Sequence, residues 1–184
     1  MSMTITEALA EIKTIGKRLE KKKQAVLSNI GRDSRLKDPL EGGSVEYVAR
    51  ERQAIEDLEK RIVAIRTAIQ RSNLATNCTV GDNTLTVQEW LNFRREVSEK
   101  RQLFLNSLNM AIKQIREKVQ REGGRVVAAN VAALATVDGG KPPIEILVHL
   151  DEKKLLEEQE GLEKTLGDLD GKLSLLNATT VIEV

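Results

Sequence analysis

Seven positions near the end of this chain constrain it more than any others. Leu155, Gln159, Leu162, Leu166, Leu169, Leu173 and Leu176 recur at alternating intervals of four and three residues. On a helix that spacing gathers six leucines and one glutamine into a single seam, the pattern by which helices pack side by side. Earlier stretches repeat it. Ile5, Leu9, Ile12, Gly16, Leu19, Lys23, Val26 and Ile30 mark a first helix, and Val48, Ile55, Leu58, Ile62, Ile65 and Ile69 a second. Leu91, Val97, Leu105, Leu108, Ile112, Ile115 and Val119 mark a third, interrupted by Arg94 and Arg101. The fold class expected is mainly α, an antiparallel bundle of helical hairpins with a small β-hairpin arm.

Local signals place the ends. Thr4 and Glu7 have the spacing of a capping box for the first helix, and Thr86 and Glu89 repeat it for the third. Pro39 and Gly42-Gly43 break the pattern after Gly31, so 31–43 is a connector, and Ser44 is placed to cap the second helix. That helix is expected to close near Ser72, before a polar connector over 73–84. Gly123-Gly124 ends the third helix near Glu122, and Asp151 caps the fourth.

The stretch 125–150 differs in kind, being nearly uncharged and split by Asp138-Gly139-Gly140 and Pro142-Pro143. Ile144, Ile146, Val148 and Leu150 alternate with Glu145, Leu147 and His149, which is strand periodicity. Val126 to Val137 pairs with it as a hairpin in the favoured reading, although its alanines permit a short helix. The tail 177–184 can add a strand. Three parts follow: a hairpin bundle over 1–122, an arm over 123–150, and the leucine helix with its tail over 151–184.

Composition narrows the function. Aromatic residues are 2% of the 184, fewer than compact enzyme cores use, whereas thin bundles of Leu, Ile and Val manage without them. The net charge of +1 gives no whole-chain attraction to nucleic acid or acidic membranes. Charge is uneven, however. Residues 1–37 carry nine basic and four acidic side chains, and 151–176 carry eight acidic and four basic. The first and fourth helices are therefore expected to lie close and partly neutralise one another. Cys78 is alone and reads as a structural thiol. The amino-terminal stretch has no basic segment followed by an apolar run, and no apolar run is long enough to span a bilayer, so a cytoplasmic or virion location is expected.

No chemistry-bearing constellation stands out. His149, the sole histidine, has only Asp151 nearby, and Glu157, Glu158, Glu160 and Glu163 lie along a helix with no loop to gather them around a cation. No phosphate loop and no Gly-x-Ser-x-Gly is present. The expectation is a protein without catalytic residues, cofactor or metal.

The sequence IQRSNLAT over 69–76, followed by DNTLTVQEWLNFRREVSEKRQLFLNSL over 82–108, resembles the middle of the septicolysin-like family of small helical bacterial proteins. The ending is similar too, with Leu169-Asp170 and Asn177-Ala178-Thr179-Thr180 in matching places. Ala178 stands where the family has Trp and Gly167 where it tends to have Arg, and 125–143 resembles an insertion. The resemblance implies a self-associating helical hairpin fold and carries no catalytic residue across.

The expected role is that of a structural protein acting as a homo-oligomer or as an accessory subunit of a larger assembly, concretely a phage capsid or tail component. Its partners would be itself or other structural proteins. A cytolysin-like membrane activity and a nucleic-acid-binding scaffold are the alternatives, neither expected. The expected contact residues are Leu162, Leu166, Leu169, Leu173 and Leu176 of the seam, Gly167 and Gly171 of a small-residue stripe with Ser174 and Ala178, and Val126, Val131, Leu134, Ile144, Ile146 and Val148 of the arm. The carboxy-terminal tail is a further docking surface.

Overall fold

The computed structural model describes residues 2–122, 124–128 and 145–184. Twelve elements follow in order: β1 (Ser2–Thr4), α1 (Ile5–Ser28), α2 (Ser44–Ala75), β2 (Asn77–Val80), β3 (Asn83–Thr86), α3 (Val87–Asn92), a π-helical turn (Phe93–Ser98), α4 (Glu99–Arg121), β4 (Arg125–Ala128), β5 (Glu145–Val148), α5 (Glu152–Thr179) and β6 (Val181–Glu183). The fold is mainly α, as the periodicity predicts. The chain divides into two compact units. One holds residues up to Cys78, Leu85–Gln88 and Gly171–Val184, and the other holds Thr79–Thr84 and Glu89–Asp170.

In the first unit α1 and α2 form an antiparallel hairpin. The Thr4–Glu7 capping box is present in both directions, with Glu7 N–H donating to Thr4 Oγ1 at 3.2 Å and Thr4 N–H donating to Glu7 Oε2 at 2.8 Å. The buried stripe of α1 is Ile5, Ala8, Ile15 and Leu19 with Ile12 partly covered, packed on Ile55, Leu58, Ile62, Ile65 and Ile69 of α2. This corrects the expected α1 seam by about one residue. Leu9 lies on the exposed side and Ala8 takes its place, because Ile5, Ala8, Ile12, Ile15 and Leu19 keep the three-four rhythm without a gap at Gly16.

Two further corrections concern ends. Ser44 does not cap α2: its own N–H and hydroxyl donate to the Asp38 carboxylate, each at 2.7 Å, so Asp38 in the connector does the capping. α2 continues to Ala75, and the expected connector contains a strand pair, β2 with β3. Gly81 occupies the first position of its two-residue turn at φ 56°, the left-handed backbone of a type II′ hairpin.

The chain's two ends meet. β1 pairs antiparallel with β6, Met3 opposite Ile182, and both side chains enter the α1–α2 core. The tail does add a strand, β6, which pairs with β1 in the first unit.

In the second unit α4 lies antiparallel to α5. Leu105, Ile112, Val148, Leu155 and Leu162 form its buried cluster, with Phe93, Leu108, Ile115, Val126, Leu150 and Leu166 packed around them. β4 and β5 pair as the arm prediction requires, but in parallel, Arg125 opposite Glu145 and Ala128 opposite Val148. They are therefore not the strands of a hairpin, since a parallel pair needs a crossover of about a dozen residues or more. The connection between them, 129–144, lies outside the described residues, and so do the expected contacts Val131, Leu134 and Ile144.

Candidate interaction surfaces

The leucine seam of α5 is occupied within the chain. Leu155, Leu162, Leu169 and Leu173 are buried, and Leu166 and Leu176 are partly buried. Gln159, the one polar member, faces two amides: Asn109 Nδ2 donates to its Oε1 at 2.9 Å, and its Nε2 donates to Asn106 Oδ1 at 3.2 Å. The α1–α2 hairpin has a comparable polar layer. Lys22 and Glu51 stand in the three-four rhythm of their helices, and their salt bridge measures 2.7 Å.

Ion pairs frame each helical pair separately. Lys23 meets Glu59 at 3.5 Å, and Arg61 meets Glu11 at 2.8 Å, where the guanidinium hydrogen bond holds the Glu11 carboxyl below its ordinary value. In the second unit Arg94 meets Asp170 at 2.8 Å, Arg101 meets Glu158 at 4.0 Å, and Arg116 Nη2 lies 2.7 Å from Glu152 Oε2. The expectation that the acidic last helix neutralises the basic first one is thus corrected. Among the described residues the α5 carboxylates that pair across helices take arginines from the π turn and α4, and the α1 cations that pair take carboxylates from α2. Arg94 and Arg101 interrupt the apolar stripe because they stand at its edge as those partners.

The π turn decides what α4 presents. From Trp90, an unbroken three-four rhythm would bury 94, 97, 101, 104 and 108. Residues 93–98 accommodate one extra residue, so Ser98 at their end and Leu105, Ile112 and Val119 beyond them are buried instead. Ser98 is satisfied inside the helix, its hydroxyl donating to Arg94 O at 2.6 Å. Phe93 folds edge-on against buried Trp90, ring centroids 5.7 Å apart. Val97, expected in the core, is 46% exposed, and Phe104 is 61% exposed. Leu103 at 61% and Met110 at 63% complete an outward apolar band that sequence reading did not find.

Beside this band an open groove of about 470 Å³ is lined by Phe104, Leu108 and Leu150, with Arg101, His149 and Glu158 on its rim. Asp151 also borders it, but its carboxylate accepts from Lys153 N–H at 3.0 Å and Lys154 N–H at 3.3 Å, so it serves as the predicted α5 cap. Cys78 is buried on β2. Among the described residues no three His, Cys, Asp or Glu side chains gather as a metal site would require, and no helix is long and apolar enough to cross a membrane.

The remaining expected contacts sort as follows. Val148 is buried and Val126 and Ile146 are partly covered inside the second unit. Gly167 and Gly171 face open space, since a methyl group built on either meets nothing within 4 Å. The glycine stripe is not used by a close helix crossing among the described residues.

No family model and no curated protein matches the chain. A crystal structure of a functionally unknown conserved protein from Corynebacterium diphtheriae is similar, with a TM-score of 0.57 at 16% identity over 100% of both chains. That likeness shows a shared fold and nothing of function. The likeness to septicolysin-like proteins rests on the quoted stretches alone.

Proposed function

We propose that this chain is a non-catalytic assembly component, associating with copies of itself or serving as an accessory subunit of a larger protein assembly. The outward band of α4 carries this reading. Leu103, Phe104 and Met110 are each more than half exposed within two helical turns, beside a groove with an apolar floor. Removing side chains of this size from water is favourable by about 1 to 2 kcal/mol each, and large exposed apolar patches mark contact surfaces. Four of the seam leucines, Leu155, Leu162, Leu169 and Leu173, are already buried within the chain and leave less of the seam for that contact. The π turn supports the same reading: it swings Val97 and Phe104 outward where a plain helix would have hidden them. A phage capsid-accessory or tail-associated protein is the concrete form of the proposal, with the band seated on a neighbouring subunit.

Substitution of Phe104 and Met110 by Asp tests it. Both side chains are exposed, so the variant should keep its helical content and melting behaviour while its mass by light scattering falls to that of one chain. An unchanged mass above one chain, in a folded variant, would exclude this surface.

A further inference from the structure

The outward face of α1 carries a row of like charge that nothing among the described residues answers. Lys13, Lys17 and Lys21 are exposed and four residues apart, so they stand in line along one side of the helix. Among the described residues none of the three meets a carboxylate within 4 Å, whereas Lys22 and Lys23 one step further round are paired with Glu51 and Glu59. Arg18 stands beside the row, towards Glu11. On α1 the acid beside it is Glu20, and Thr6, Ala10, Thr14, Gln24, Ser28 and exposed Leu9 are its uncharged neighbours on that side. Like charges four residues apart disfavour a helix, so the row is a small local cost to α1.

We propose that this row binds the phosphate backbone of a nucleic-acid duplex, without reading its sequence and independently of the α4 band. At about 1.5 Å rise per residue successive lysines stand about 6 Å apart and the row is roughly 12 Å long, so its three ammonium groups can neutralise about three phosphates of a duplex. Single strands fit less well, because their binders stack bases on aromatic rings and α1 has none. An anionic bilayer also fits less well. Helices that lie in a membrane surface bury an apolar face there, and that face of α1 is already packed on α2.

The test is fluorescence anisotropy with a labelled duplex of about 30 base pairs and arbitrary sequence, titrated with the full chain at about 50 mM salt and upward. Binding should weaken with a log–log salt slope of about −3, matching three phosphate contacts. Lys13→Glu, Lys17→Glu and Lys21→Glu together should abolish it while leaving helical content intact. The same charge change at Lys100, Lys113 and Lys118 on α4 should leave it within about threefold. No binding at the lowest salt overturns the proposal, and so does equal loss from either triple variant. Capture by phosphatidylserine vesicles without duplex binding also overturns it, in favour of a membrane partner.

Discussion

Lys22 Nζ sits 2.7 Å from Glu51 Oε2 at matching seam positions of α1 and α2, and the Glu51 side chain is only 14% exposed. An ion pair placed where the neighbouring seam residues are aliphatic fixes which residues of two plain helices face each other, more than it adds stability. Replacing Glu51 with Ala should cost about 1 to 2 kcal/mol, since it leaves a half-covered ammonium without its partner. Replacing both residues with Leu should be neutral or stabilising. Urea denaturation of the three proteins checks this, and a double variant weaker than Glu51→Ala would contradict it.

Gln159 predicts the same behaviour in the second unit. Its amide partners Asn106 and Asn109 are exposed and can turn to water. Gln159→Leu should therefore completely restore the leucine seam and raise stability by about 1 kcal/mol. A lower melting temperature would mean that the amide layer, not the seam, organises α4 against α5.

The π turn predicts an asymmetry between deletions. Arg95 is exposed, and among the described residues its side chain pairs with neighbouring Glu96 alone. Removing it shortens the Trp90–Ser98 interval to the spacing of a plain helix and keeps Leu105, Ile112 and Val119 facing inward. That variant should stay within about 1 kcal/mol of the parent. Removing Gln114 instead, beyond Leu105 and Ile112, puts Val119 out of phase with those two whether or not the turn closes, and should lower the melting temperature of the second unit, which circular dichroism on heating would report.

Asp38 carries a pH signature. Hydrogen bonds from Ser44 N–H, Ser44 Oγ and Leu40 N–H, in that order, hold its carboxyl at about 2, against an ordinary 3.8. Because the folded value is depressed, its contribution is complete above 3.8 and disappears as the pH falls through about 2. Asp38→Asn should lower the melting temperature at neutral pH, and the gap from the parent should close between those two values. A gap independent of pH would remove the capping role.

How much of this was readable in the chain depended on whether a residue's neighbours repeated its message. The α5 seam was, because leucine recurs at almost every seam position. The α1 seam was misplaced at Leu9 because a large side chain outweighed Ala8, although Ala8 completes the spacing that Ile15 and Leu19 continue. The π turn left one trace, the eight-residue interval between Trp90 and Ser98, and a buried serine does not announce itself. Asp38 caps a helix six residues away across two glycines, beyond any local motif. The apolar band on α4 was hidden for the same reason as the turn: with the wrong phase, Val97 counts as core.

The mass of the native chain in solution tests the central claim most directly. Sedimentation equilibrium over a range of micromolar concentrations should give a multiple of 20.5 kDa, lost when Phe104 and Met110 are both Asp. A single-chain mass at every concentration would contradict self-association through the outward band of α4.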